Sequence, residues 1–281
     1  MIVQQYVGNF MMTLDLADKG ISQVLYNTGG REHAFMGLLK DTIEEGMVCL
    51  DLGANIGYTT LYMLKNVGES GFVYAIEPDK HNVELLTQNV EGNNYDDICE
   101  ITEGAISSED GTLDFWLADA PNLNSFKKTH RSTRKIGVES YTLETFLKDR
   151  KFPNFIKMDV EGHEVDILKG GLNYFKNNAG HCNILLEVHP SLYGPDNDFA
   201  TVLREYFSIG FKPKFVVATP IPQPKLFKEA GYEPIKAIQT DGFHRGVYGP
   251  ISEDHLVEFA CKENPEGNSK KIVRSFMITR D

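Results

Sequence analysis

The stretch Met47-Val48-Cys49-Leu50-Asp51-Leu52-Gly53-Ala54-Asn55-Ile56-Gly57-Tyr58-Thr59 constrains this chain more than any other. A short apolar run ends in an acid, passes through a glycine-containing loop and enters a helix-compatible segment. The pattern predicts a buried strand, a tight loop and a helix start. Such a junction turns backbone N–H groups and the positive end of a helix toward a ligand. Beyond it the chain alternates. Strands are expected at 72–76, 98–103, 154–159 and 182–188, and helices at 56–66, 79–91, 161–169 and 197–207, with Gly170-Gly171 ending the 161–169 helix. Strands separated by helices of this length imply β-α-β units, a parallel sheet and right-handed connections.

The flanks are less regular. Residues 1–30 read as short strands or a hairpin, and Arg31 to Glu45 has helical spacing through Phe35, Leu38, Leu39 and Ile43. A strand over 112–117 continues the sheet or forms a side ribbon, and 119–135 reads as a polar loop. Residues 219–255 hold five prolines and break the rhythm, as an insertion on the open side of the sheet would. Segments 256–261 and 271–279 read as terminal strands joined by the turn-rich 264–268.

Composition narrows the partners. A net charge of −12 over 281 residues argues against a broad nucleic-acid-binding face, which needs clustered Lys and Arg. No apolar run is long enough to span a bilayer and no secretory signal opens the chain, so a cytoplasmic protein is expected. Cys49, Cys99, Cys182 and Cys261 form no C-x-x-C pair and fit buried free thiols in a reducing compartment.

Spacing decides what the loop binds. Gly53 and Gly57 are four apart, Asn55 and Tyr58 stand where a dinucleotide fingerprint needs glycines, and no Gly-Lys-Ser/Thr follows. The loop instead resembles the D-x-G-x-G-x-G loop of class I S-adenosylmethionine-dependent methyltransferases. Asn55 replaces the middle glycine, and Asn is the residue that best tolerates left-handed backbone in its place. Glu77 ends the second strand, 20 residues after Gly57, where an acid can accept both ribose hydroxyls of an adenosine. The alternative for Glu77 is a helix N-terminal acid before Pro78.

Ile156-Lys157-Met158-Asp159-Val160-Glu161-Gly162-His163-Glu164 closely resembles the I-K-x-D-x-E-G-x-E signature of FkbM-type methyltransferases. Ser140 to Leu147 and Leu185 to Pro190 are similar to segments that flank that signature. The resemblance implies a doubly wound, mostly parallel, seven-stranded Rossmann-like α/β sheet with helices on both faces. It also implies S-adenosylmethionine as methyl donor and transfer to a hydroxyl of a small molecule or glycan. On this reading 1–281 is a single methyltransferase domain, with an N-terminal cap region over 1–46, a donor-binding core over 47–190 and a substrate-side insertion over 219–255. Donor contacts fall on Asp51, Gly53, Asn55, Gly57, Tyr58 and Thr59, then on Glu77, Pro78 and Asp79, on Gly104 and Ala105, and on Asp159.

Methyl transfer needs an oxygen aligned with the S–CH3 axis and a group to take its proton. His189 is the expected base because its ordinary pKa lies near neutrality. Asp159 orients the donor, accepts the proton or caps the next helix. Glu32 reaches the donor if the 31–45 helix covers the loop. Glu161, His163 and Glu164 suggest metal ligands, but on one helical turn such side chains diverge, so no metal is assigned. The basic run 127–135 is a solvated loop or a lid for an anionic acceptor. Two other functions compete: methylation of an amine, and donor binding without chemistry. Asp159-Val160-Glu161-Gly162 lacks the paired prolines and aromatic of amino-methylating DNA enzymes, and no nucleic-acid or membrane partner is expected.

Overall fold

The structure, a computed structural model, describes residues 1–118, 123–193, 198–219, 221–240, 242–261 and 271–281. The turn expected at 264–268 and part of the loop expected at 119–135 lie outside these residues. The chain opens with a hairpin of β1 (Ile2–Val7) and β2 (Phe10–Asp15), then α1 (Ser22–Thr28) and α2 (His33–Thr42). The alternating core follows: β3 (Val48–Leu52), α3 (Tyr58–Val67), β4 (Phe72–Glu77), α4 (Lys80–Glu91) and β5 (Cys99–Glu103). Next come β6 (Ala105–Ile106), β7 (Gly111–Ala118), β8 (Ser132–Tyr141), α5 (Leu143–Leu147), β9 (Phe155–Met158), α6 (Glu164–Asn177) and β10 (Cys182–Glu187). The last part holds α7 (Phe199–Ser208), β11 (Lys212–Ala218), α8 (Lys225–Glu229), β12 (Lys236–Thr240), β13 (Phe243–Tyr248), α9 (Glu253–Cys261) and β14 (Val273–Arg280).

The main sheet runs β12-β13-β11-β14-β10-β9-β3-β4-β5. Its five central and edge strands β5, β4, β3, β9 and β10 are parallel, and β14 inserts antiparallel between β10 and β11. Every residue of β3, β9 and β10 is buried, as strands covered on both faces must be. Side chains cap the intervening helices locally. The Asp79 carboxylate accepts from the His81 N–H and starts α4, and the Thr142 hydroxyl accepts from the Thr145 N–H and starts α5.

Several expectations change. The sheet has nine strands rather than seven, because β12 and β13 extend it where an insertion was expected. Among the described residues of 219–255, none lines the cavity described below. Residues 256–261 form the end of a helix, not a strand. Leu256, Val257, Phe259 and Ala260 are all buried, a helical spacing that a six-residue window disguises. The 161–169 helix starts at Glu164 and runs on to Asn177, straight through Gly170-Gly171. These glycines permit close packing rather than ending the helix. A Cβ on Gly170 would lie 2.1 Å from the Ser107 carbonyl oxygen, and one on Gly171 2.6 Å from Leu143. Residues 132–135, read as loop, begin β8, which pairs with β7 and β6 in a separate three-stranded sheet. The cysteines are all free, Cys49 and Cys182 buried and Cys99 and Cys261 half-buried. No helix among the described residues is long and apolar enough to cross a membrane.

Candidate functional site

A cavity of about 330 Å³ opens beyond the carboxyl ends of β3, β4, β9 and β10. Parallel α/β sheets bind ligands at this edge. At one end the chain turns through Gly53, Asn55 and Gly57, with φ of 74°, 51° and 89°. Asn55 therefore occupies the left-handed position that the sequence left to it, and its Oδ1 accepts from the Ile56 N–H at 2.8 Å. Gly53 is required by contact as well as by angle: a Cβ there would lie 2.2 Å from the Asp159 carbonyl oxygen.

Glu77 is 5% exposed and lines the cavity. Its Oε1 accepts from the Asp79 N–H and from Asn82 Nδ2, both at 3.1 Å. Its Oε2 accepts only the Asn55 N–H, at 2.9 Å, which leaves capacity for the hydroxyls of a ribose. Burial pushes Glu77 up to about 7, against the hydrogen bonds from Asn82, Asp79 and Asn55. Pro78, Gly104, Ala105, Ile76 and Ile106 continue the wall. The loop and the acid thus fit an adenosine-bearing donor.

Not every expected contact reaches the cavity. Asn55, Gly53, Tyr58, Thr59, Glu77, Pro78, Gly104, Ala105, Asp159 and His189 line it, whereas Asp51, Gly57 and Asp79 do not. Asp51 is fully buried and ion-paired with Lys157 Nζ at 2.9 Å, and its Oδ2 accepts from the Thr59 and Thr60 hydroxyls. Lys157 Nζ also donates to the Gly53 carbonyl at 2.6 Å. This pair clamps the loop from beneath. Burial works against the Lys157 charge, but Asp51 and Asp159 hold its pKa above the ordinary lysine value. Gly57 packs on α4, where a Cβ would meet Leu86 at 2.7 Å, and Asp79 caps α4.

The other end of the cavity is a charge cluster drawn from four separate segments. His189 Nδ1 donates to Glu164 Oε1 at 2.7 Å, while its Nε2 lies 3.2 Å from Glu187 Oε1 and 3.5 Å from Glu161 Oε2. Burial alone would lower the His189 pKa. Glu164, Glu187 and Glu161 overcome it and hold His189 well above its ordinary value. That changes the expectation of a neutral histidine waiting as base. Glu187 is pressed upward by burial but held well below the carboxylate range by Arg274, Lys271 and His189. Lys271 Nζ reaches Glu187 Oε1 at 2.9 Å, and Arg274 touches the same oxygen. The register of β14 explains this, since Ser275 stands opposite Glu187. Arg274 also reaches Glu32 Oε1 at 3.4 Å, which pairs with Arg31 at 2.6 Å.

Glu32, expected within the 31–45 helix, stands just before α2 and lines the cavity. Sequence reasoning weighed Glu161 only as a metal ligand, placed Glu187 only at a strand end, and gave no site role to Lys157, Arg31, Lys271 or Arg274. Glu32 and Glu161 sit at φ of 52° and 46°, left-handed angles that are uncommon for glutamate and gather at functional sites. Burial lifts Glu161 to about 7; His189 opposes this, and Asp159 and Glu187 add to it.

The three-stranded sheet supplies the remaining wall. Phe115, Asn124 and Phe126 line the cavity. Asn124 Nδ2 donates to Asp79 at 2.8 Å and Ser125 Oγ to the Glu161 carbonyl at 2.6 Å, so this segment bridges both ends. The basic run 127–135 does not line the cavity. Lys127 pairs with Asp166, Lys135 with Asp114, and Lys128 lies over the Trp116 ring.

A family model and two curated relatives place the chain among methyltransferases. The Methyltransferase FkbM domain matches residues 51–213, more than half of the chain. The chain is 30% identical over 161 residues to the hexuronic acid methyltransferase AglP of Haloferax volcanii, a match that covers 54% of this chain and 60% of that protein. It is 27% identical over 184 residues to methyltransferase 1 of Beauveria bassiana, covering 58% and 71%. A solved S-adenosylmethionine-dependent O-methyltransferase of Thermotoga maritima superposes with a TM-score of 0.45 at 14% identity, covering 100% of this chain and 77% of that one. The chain belongs to the FkbM methyltransferase domain family, in which S-adenosylmethionine is the methyl donor.

Proposed function

We propose that this chain transfers the methyl group of S-adenosylmethionine to a hydroxyl oxygen of a small-molecule or glycan acceptor. The observation that carries the proposal is the pairing of two ends in one cavity. The loop 53–57 and Glu77 form one end, and Asp159, Glu161, Glu187 and His189 form the other. The bound donor supplies an already activated methyl group. The residues of the first end hold its adenosine: Glu77 accepts the ribose hydroxyls and Gly104 and Ala105 flank the base. The residues of the second end set the acceptor hydroxyl in line and receive its proton. An alcohol needs such help far more than an amine does, which favours oxygen over nitrogen as the methylated atom.

Asp159 and His189 are the proposed catalytic pair. The Asp159 carboxylate lines the cavity. His189 acts at Nε2 only after that nitrogen gives up its proton. The relative from Haloferax volcanii is named for a hexuronic acid, and this supports a sugar-bearing acceptor. Arg31, Lys271 and Arg274 line the cavity, but each is matched to a carboxylate. The proposal therefore rests on the hydroxyl and not on an acceptor charge. We further propose the single-domain division given above, with Arg31 and Glu32 of the N-terminal region closing the cavity beside the charge cluster. The test is transfer of label from methyl-labelled donor to hydroxyl-bearing sugars and glycans. Label in a methyl ether supports the proposal. Label on an amine, or label that never leaves a tightly bound donor, contradicts it.

A further inference from the structure

The acid–histidine end of the cavity has a geometry that proton chemistry alone does not require. Asp159, Glu187 and His189 each offer one ligand-type atom, and these atoms all lie within 4.8 Å of one another. They come from the carboxyl ends of two neighbouring parallel strands, β9 and β10, paired in register through Leu186 and Met158. Two further observations bear on this triad.

First, the histidine is oriented as metal-bound histidines are. Its Nδ1–H is committed to Glu164, a fully buried carboxylate, at 2.7 Å. That bond fixes the ring and leaves Nε2 to face Glu187 and Glu161. A carboxylate behind the imidazole is the usual second partner of a metal-ligating histidine. Second, Asp159 lines the cavity and its carboxylate makes no hydrogen bond or ion pair with the described residues, although Asp159 lies among charged neighbours.

We infer that Asp159, Glu187 and His189 form a divalent-cation site beside the acceptor position, with Glu164 as the positioning residue behind His189. This rests on the methyl-transfer reading of the same cavity but adds a ligand to it. Two carboxylates and one imidazole suit a hard to borderline ion, magnesium or manganese, more than a soft one. Held by these three residues, such an ion would orient an acceptor hydroxyl toward the donor and make its proton easier to lose. Glu161, which lines the same cavity, would then take the hydroxyl proton in place of His189. The oxygen lone pair forms the new O–CH3 bond while the C–S electron pair passes to sulfur, leaving the neutral thioether.

The experiment uses the full chain with manganese(II) as the probe and no donor. Free aqueous manganese is read by its paramagnetic resonance signal as protein is titrated in. One site per chain is expected. Asp159→Asn is the first variant, because its side chain holds no bond whose loss unfolds the protein, and it weakens manganese binding by about tenfold or more. Glu164→Gln weakens it by about tenfold. Thermal melting without metal confirms that both variants fold. If Glu164→Gln does not fold, Asp159→Asn alone decides. No manganese bound at millimolar concentration overturns the inference. So does binding that Asp159→Asn leaves unchanged, which marks ions held by the acidic surface. S-adenosylhomocysteine calorimetry in chelator runs alongside. Donor binding without manganese binding removes the cation site and keeps the methyltransferase reading. Manganese binding without donor binding does the reverse.

Discussion

The two ends of the cavity are built by opposite means. The donor end is a backbone object. Thirteen consecutive residues make a strand, a turn of three left-handed positions and a helix start, and one acid twenty residues later completes it. The acceptor end is a side-chain object. Its charges come from residues 31–32, 159–164, 187–189 and 271–274, brought together by strand order and by the antiparallel register of β14. A local backbone device leaves its mark in local sequence, because each glycine or asparagine is demanded by an angle or a contact. A dispersed network leaves only acids and bases scattered along the chain. The contrast teaches that the cofactor is readable before the chemistry is.

The two ends meet at Gly53, whose Cα faces the Asp159 carbonyl, and at Lys157, which pairs with Asp51 and holds the loop carbonyls. Breaking that joint is the harshest test of the comparison. Lys157→Met leaves the fully buried Asp51 without its cation and is expected to destabilise the fold by about 3–5 kcal/mol, read from denaturant unfolding. Both ends fail together. If Lys157→Met costs less than about 1 kcal/mol, the clamp is not what holds the loop.

A narrower cut separates the ends. Glu77→Ala removes two hydroxyl acceptors and weakens donor binding by about 100-fold, since charge-assisted hydrogen bonds contribute about 1.5–3 kcal/mol each. Thermal stability measured in parallel shows whether the loss is local. An affinity within threefold of the parent returns Glu77 to a purely structural role at the start of α4.

The same residue gives a pH test. In the folded chain burial holds the Glu77 pKa at about 7, against 4.5 for an ordinary glutamate. Between those values the folded state keeps a proton that the unfolded state has released, so stability falls as pH rises through this window. Glu77→Gln removes that dependence. The variant therefore gains on the parent by up to about 3 kcal/mol between pH 4 and pH 8. Donor affinity of the parent strengthens as pH rises through 7, because the ionised carboxylate is the better hydroxyl acceptor. A stability difference that stays flat with pH contradicts the buried-acid account.

The smallest effect sharpens the backbone side. Asn55→Gly loses the Oδ1 bond to the Ile56 N–H but relieves the left-handed angle, and the two nearly cancel. Stability is expected to change by less than about 1 kcal/mol and donor affinity by less than threefold. A large loss of affinity moves the Asn55 amide from a turn role to a donor contact.

Much of the fold was legible because period and spacing are local. The parallel order expected for β5-β4-β3-β9-β10 follows from alternation and connection rules, and the loop and Glu77 from angles and spacing. What was not legible depends on contacts at long range. Gly170-Gly171 looked like a stop until Ser107 and Tyr206 packed against it. Asp51 looked like a ligand until Lys157 took it. His189 looked like a base until three glutamates surrounded it, a count no spacing reveals. Glu187 was visible in the sequence but carried no signal of its own. Its meaning comes from Lys271 and Arg274, more than eighty residues away.

The central claim is that one cavity holds a donor at the loop and does chemistry at the far end. Calorimetry of S-adenosylhomocysteine binding on three proteins tests it most directly: the parent, Glu77→Ala and Glu161→Gln. One-to-one binding to the parent, a loss of about 100-fold in Glu77→Ala and an affinity within threefold in Glu161→Gln are predicted. No heat with the parent at millimolar ligand, or a loss in Glu161→Gln as deep as in Glu77→Ala, contradicts it.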